Sequence, residues 1–158
     1  MQRNSDKMQL EEEIKQKNFR DEFHKVFLNV VYSANWLQSR QARFFREFDL
    51  TAPQFNILRI LRGQYPKPAT VNLLIERMLD KTSNASRIVD KLVAKGLVTR
   101  QTCEHDRRTV DVLITQAGLA VLQRIDEEAQ DLHTGFTNLT ESEATELSRL
   151  LDKIREKQ

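Results

Sequence analysis

The sequence predicts a mainly helical chain, and three observations carry that prediction. Only 4 Gly and 3 Pro are spread over 158 residues, too few to turn the corners of a β-sandwich or barrel. Apolar residues recur at spacings of three and four through most of the chain. One stretch alone, from Val98 to Ile114, changes to a period of two. The length suffices for one or two small domains with a buried core.

From Leu10 to Phe48, Phe19, Phe23, Val26, Phe27, Val30, Val31 and Ala34 follow one helical stripe, and neither Gly nor Pro interrupts it. The reading is one long helix, frayed over its first ten residues, whose wide Phe-rich stripe needs a partner element. In Leu50-Thr51-Ala52-Pro53-Gln54-Phe55, Thr51 can cap the free amides, Gln54 can reach back and Leu50 can pack on Phe55. A second helix therefore starts there and stops near Gly63, before Pro66 and Pro68.

Val71 to Leu79 and Ser83 to Lys95 read as two short helices around a turn at Asp80-Lys81-Thr82. Gly96 suits the left-handed residue that closes the second, with Leu97 folding back on Leu92. Val98, Arg100 and Thr102 then alternate with their neighbours, as do Val110, Val112 and Ile114, which makes a hairpin with Cys103 to Arg108 as its loop. Two strands are marginal in water, so the hairpin must lean on the preceding helices. A helix-turn-helix carrying such a hairpin is a winged helix.

Thr115 caps the next helix, with Ile114 and Leu119 as a staple. Leu122, Ile125, Ala129, Leu132 and Phe136 then form a heptad seam. Thr140-Glu141-Ser142-Glu143 is a second capping box, opening a final helix with Ala144, Leu147, Leu151 and Ile154 on one face. The terminal seams are expected to pair with each other or with a second chain. The expected organisation is a dimerisation helix over residues 1–48, a winged helix-turn-helix over 49–115 and C-terminal dimerisation helices over 116–158.

Several classes are set aside by composition. No apolar run approaches the ~18 residues of a membrane span, and Met1 to Leu10 is too polar for a signal peptide, so no membrane association is expected. A single cysteine, Cys103, fits a cytoplasmic protein. Cys103 and His105 supply two metal ligands at most, and no Gly-rich phosphate loop, nucleophile elbow or His-Glu zinc pattern occurs. Neither an enzyme, nor a metal, nor a cofactor is expected.

Net charge is only +2, but Lys81 to Arg108 concentrates seven cations against three carboxylates. One face can thus meet phosphate while the others remain free for protein contacts. A duplex-reading helix needs short polar groups near its N-terminus and cations on the same face. Ser83 and Asn84, read as first-turn residues, with Ser86, Arg87 and Lys91, meet that need opposite a core stripe of Ile88, Val89 and Leu92. The alternative is that Ser83 is an ordinary cap and Arg87 a solvated charge. At the hairpin tip, Asp106 can grip the guanidinium of Arg108 and aim it, with Arg107 between them. An aimed arginine suits the narrow minor groove; the alternative is a plain polar turn with a weak exposed ion pair.

The run from Asp106-Arg107-Arg108-Thr109 through Ile114-Thr115-Gln116-Ala117-Gly118 resembles the wing signature of the MarR family of bacterial transcription regulators. Leu50 to Leu61 and Ser86 to Leu92 with Lys95-Gly96-Leu97-Val98 also resemble that family's second and recognition helices, and the likeness extends from about Phe19 onward. It implies an obligate two-fold homodimer on double-stranded DNA. Ser83, Asn84, Ser86, Arg87 and Lys91 would lie at the major groove, Arg108 in the minor groove and Arg107 at a phosphate. The function so implied is a sequence-specific regulator, most simply a repressor of a pseudo-palindromic operator.

Family members often respond to a small aromatic effector, and Trp36, Phe44, Phe45 and Phe48 can line a crevice or simply be core. Peroxide-sensing relatives carry their cysteine near the first helix, so Cys103 in the wing reads as a structural thiol. The chain departs from the family pattern at Ile75 and Leu79, where relatives carry a small residue and a glycine; this bears on the angle of the turn and on Lys81 and Thr82 as DNA contacts. Two other functions remain open on the residues alone: a winged-helix interaction module that recruits a helical partner, and a small-molecule carrier without an operator.

Overall fold

A computed structural model describes residues 9–102, 110–128 and 135–156. The chain divides into two compact units, Met1–Ala42 and Arg43–Gln158.

In the first unit the single long helix expected from Leu10 onward is broken. A short α1 (Leu10–Glu13) ends before Lys15, which takes a left-handed φ of 52°, and α2 begins only at Glu22 and runs to Arg46. The break has a local cause. Asp21 accepts a hydrogen bond from the His24 amide at 2.7 Å, the geometry of a helix N-cap, and that amide together with Arg20 holds the Asp21 carboxyl below its usual range. An aspartate that caps competes with the helix it would otherwise continue. The detached turn folds back on α2: Lys25 Nζ lies 2.5 Å from Glu11 and the Tyr32 hydroxyl donates to Glu13 at 2.5 Å. Along α2 the stripe of Phe23, Val26, Phe27, Val30 and Val31 faces solvent, with Phe23 85% and Phe27 62% exposed.

The second unit holds the winged helix-turn-helix. Helix α3 (Ala52–Gln64) opens with both halves of the expected capping box: Thr51 accepts from the Gln54 amide, and the Gln54 side chain accepts from the Thr51 amide at 3.0 Å. Strand β1 (Ala69–Thr70) follows, then α4 (Val71–Arg77), capped by Thr70, and α5 (Ala85–Ala94). Strands β2 (Val98–Thr102) and β3 (Val110–Ile114) form the hairpin. The sheet order is β1-β3-β2, antiparallel throughout, with Val98 opposite Ile114, Arg100 opposite Val112 and Ala69 opposite Val112. Strand β1 was not foreseen; two residues carry no readable period.

Helix α6 (Gln116–Glu128) closes this unit's core. Leu122 and Ile125 are fully buried in the same cluster as Ile57, Leu74, Leu92 and Val112. This corrects the heptad reading, because the first half of that seam is spent on the subunit's own core; Ala129 and Leu132 lie outside the described residues, and Phe136 stands in a separate short 3-10 turn. Helix α7 (Glu141–Ile154) has the capping box expected of Thr140 and Glu143 and buries no residue, leaving Leu147, Leu150 and Ile154 exposed.

Four segments meet at one junction. Helix α5 ends in paired bonds from Gly96 N to Val93 O (2.9 Å) and from Leu97 N to Leu92 O (3.0 Å), around Gly96 at φ 69°. Thr115 then ties that end to α6: its amide donates to Leu97 O (3.0 Å), its hydroxyl donates to Gly96 O (2.8 Å), and its oxygen accepts from the Gly118 amide (3.1 Å). Gly118 sits so close that a Cβ would meet Leu97 O at 2.4 Å and Ile114 Cγ1 at 2.7 Å. Gly118→Ala is therefore expected to cost about 1–3 kcal/mol, the range for overpacking against backbone. A thermal melt checks this, and an undiminished melting temperature would contradict the close approach.

Candidate nucleic-acid interface

Helix α5 is amphipathic by construction. Ala85, Val89 and Leu92 are buried, Ile88 packs partly against them, and Ser86, Arg87 and Lys91 are exposed on the other side. The helix begins one or two residues later than expected. Asn84 is its N-cap, accepting from the Arg87 amide at 3.0 Å, so Ser83 and Asn84 precede the first turn rather than occupy it. Ser83 is not the cap either.

Ser83 instead belongs to a knot built by Asp80, the first residue of the turn expected between the two short helices. One Asp80 oxygen accepts from the Thr82 amide (2.9 Å) and the Thr82 hydroxyl (2.7 Å); the other accepts from the Ser83 hydroxyl. An aspartate followed by Thr at i+2 and Ser at i+3 is a turn signature that could have disclosed it. These donors, the Ser83 hydroxyl foremost, draw the Asp80 carboxyl from 3.8 down to about 2.

Lys81 is engaged within the protein, donating to the carbonyls of Ile75 (3.1 Å) and Glu76 (2.5 Å) at the end of α4. The bulk at Ile75 and Leu79 is accommodated outward: both are exposed, Leu79 to 87%, while the Leu79 amide is held by Asn56 Oδ1 at 2.9 Å.

Two further cations of the basic stretch are also engaged. Arg100 on β2 meets Asp90 on α5 at 2.6 Å, joining the base of the wing to the helix. Lys95 pairs with the Asp49 carboxylate at 3.0 Å and donates to the Asp49 carbonyl. Among the described residues, Arg87 and Lys91 keep their charges unpaired. Asp106, Arg107 and Arg108, together with Cys103 and His105, lie outside the described residues.

The aromatic side chains considered for an effector crevice are otherwise employed. Phe45 and Phe48 are buried, with Phe44 packed against them at a ring separation of 5.3 Å from Phe45. Trp36, on the N-terminal unit, carries the Arg40 guanidinium over its ring at 5.0 Å. Among the described residues no cluster of three metal-ligating side chains occurs, and no helix is long and apolar enough to cross a membrane.

The Asp80 knot has a pH signature. Its pKa is depressed on folding, so the unfolded chain binds the extra proton first; its contribution is complete above about pH 4 and is lost as pH falls through about 2. An NMR titration following the Thr82 amide should show a midpoint near 2, and a midpoint near 4 would mean the knot does not form.

Comparison with known proteins agrees with this geometry. The sequence profile described as MarR family matches residues 48–109. The uncharacterized HTH-type transcriptional regulator YpoP of Bacillus subtilis (strain 168) is 34% identical over 110 residues, covering 69% of this chain and 77% of YpoP. The HTH-type transcriptional repressor IacR of Pseudomonas putida is 27% identical over 113 residues, covering 71% of this chain and 66% of IacR. Among solved structures, a mutant MarR from E. coli complexed with operator DNA matches with a TM-score of 0.73 at 26% identity, covering 89% of this chain and 100% of that one.

Proposed function

Because this chain belongs to the MarR family of winged helix-turn-helix transcription regulators, we propose that it is a repressor that binds a pseudo-palindromic operator as a homodimer. One observation carries the reading. A helix whose buried face is Val89 and Leu92 presents Ser86, Arg87 and Lys91 outward, with two of its cations unpaired while Lys81, Lys95 and Arg100 are internally engaged. Arginine and lysine left free beside short polar groups are what a major-groove element requires.

In this assignment Ser83, Asn84, Ser86, Arg87 and Lys91 lie at the major groove. Arg108, aimed by Asp106, enters the minor groove, and Arg107 meets a phosphate. A repressor bound to chromosomal DNA acts in the cytoplasm, and its mechanism is occlusion of polymerase, with no chemistry of its own. The similarity to IacR, named a repressor, and to a MarR captured on operator DNA supports this choice. Release by a small aromatic effector, which the family resemblance implies, is proposed without Phe45 and Phe48, which are core.

The homodimer is supported by the exposed stripe of α2 and the exposed face of α7, apolar surfaces of a kind that soluble monomers rarely leave open. Two subunits related by a two-fold axis would place their half-sites about one helical turn, ~34 Å, apart.

Duplexes selected from a genomic library should yield such a spaced site. Arg87→Ala is expected to weaken it by about 1–3 kcal/mol and to relax preference at one base pair. No mobility shift at low salt, where non-specific binding alone is visible, would overturn the DNA-binding reading. Sedimentation is expected to show a dimer, and a stable folded monomer at micromolar concentration would remove the two-fold arrangement.

A further inference from the structure

The last turn of α5 does not end on featureless surface. Between it, the end of α2 and the turn into α3 lies a cavity of about 420 Å³ lined by Arg46, Asp49, Thr51, Gln54, Lys91 and Lys95, with Leu50 and Ala94 as its apolar contribution. The polar groups of this cavity sort into satisfied and unsatisfied ones. Thr51 and Gln54 are occupied with each other in the capping box, and Gln54 is buried. Asp49 and Lys95 neutralise each other. Arg46 and Lys91 remain, and among the described residues neither side chain has an ion-pair or hydrogen-bond partner.

Two uncompensated cations facing one open cavity call for an anion. Which anion is indicated by the helix on which Lys91 lies. Arg87 and Lys91 follow one another at i and i+4, and Lys91 lines the cavity, so the cationic edge of the helix reaches it. We propose that this cavity seats a phosphate of the duplex backbone, gripped between Arg46 and Lys91, flanking the bases read by the first turns of the helix. Arg46 lies outside the helix-turn-helix and the wing, and its contact would fix the register of the protein on the duplex without reading sequence. Asp49, held by Lys95, is kept from repelling the phosphate. The inference rests on the DNA-binding reading above and adds a contact to it.

Its test is the salt dependence of binding by the full chain to a duplex selected by the wild type, followed by fluorescence anisotropy between 50 and 200 mM NaCl. Neutralising one phosphate contributes about 0.9 to the slope of log affinity against log salt. Arg46→Ala should therefore lower the slope by ~0.9, so that the wild type loses ~3.5-fold more affinity than the variant across that range. Arg46→Lys should restore most of the slope, Lys91→Ala should act in the same direction, and Arg46→Ala should select the same sequence as the wild type.

An unchanged slope in Arg46→Ala overturns the clamp while leaving the operator reading intact. A reduced slope in Lys91→Ala alone assigns the phosphate to the helix and likewise overturns it. Failure of the wild type to bind any duplex at 50 mM salt removes both readings. Inorganic phosphate, added at fixed ionic strength, tests the other source: shifts of the Arg46 and Lys91 side-chain NMR signals, with the slope of Arg46→Ala unchanged, would make the cavity a site for a free anion and not for DNA.

Discussion

The junction of Gly96, Leu97, Thr115 and Gly118 is the constraint on which the winged helix depends. Within it the end of α5, the residue leading into the wing and the start of α6 share a network of backbone and hydroxyl hydrogen bonds. None of these segments could hold its orientation alone. A ten-residue helix is marginal in water, and so is a two-stranded hairpin. Joining them at one threonine, with a glycine that lets the backbones touch, turns three weak elements into one body. The Arg100–Asp90 pair then adds a second attachment between wing and helix, 10 residues apart in sequence. As an exposed ion pair it contributes little to stability; its value is in limiting the angle between the two elements that would enter adjacent grooves.

Much of this was legible in the sequence because it is local. Thr51 with Gln54, Thr140 with Glu143, and Gly96 with Leu97 are short-range signatures whose chemistry needs no knowledge of the rest of the chain, and each is found where its spacing placed it. The long N-terminal helix went wrong for the complementary reason. Periodicity continues through Phe19, but periodicity reports only which face is apolar, whereas Asp21 decides where the helix can begin. The heptad of α6 misled in the same way: spacing is blind to whether Leu122 and Ile125 meet another subunit or the core beside them. On α5, Ser86, Arg87 and Lys91 stand on the exposed face as their spacing required. The partners of Lys95 and Arg100 were illegible, because each depends on packing between separate elements.

Those partners change what the basic stretch means. Counted along the sequence, Lys81 to Arg108 is a block of positive charge. Placed in the fold, it is differentiated: Lys81 completes the end of α4, Lys95 holds the turn before α3, Arg100 holds the wing, and Arg87 and Lys91 stay free. An undifferentiated block would attract any polyanion. On the DNA-binding proposal, engaging some of these charges internally would lower the non-specific term while leaving Arg87 and Lys91 available.

A chain with a net charge of only +2 cannot rely on long-range attraction to find or hold a duplex. Its affinity must be assembled from a small number of well-placed contacts, and that places a premium on rigidity. The Asp80 knot fits this requirement. By accepting hydrogen bonds from the hydroxyls of Thr82 and Ser83 it sets the path of the chain into Asn84, so the N-terminus of α5 is ordered in the free protein. Ordering already present in the free protein need not be supplied by binding. The same fold thus meets the scarcity of charge from two sides, by ordering the start of α5 and by leaving the outward cations Arg87 and Lys91 uncommitted.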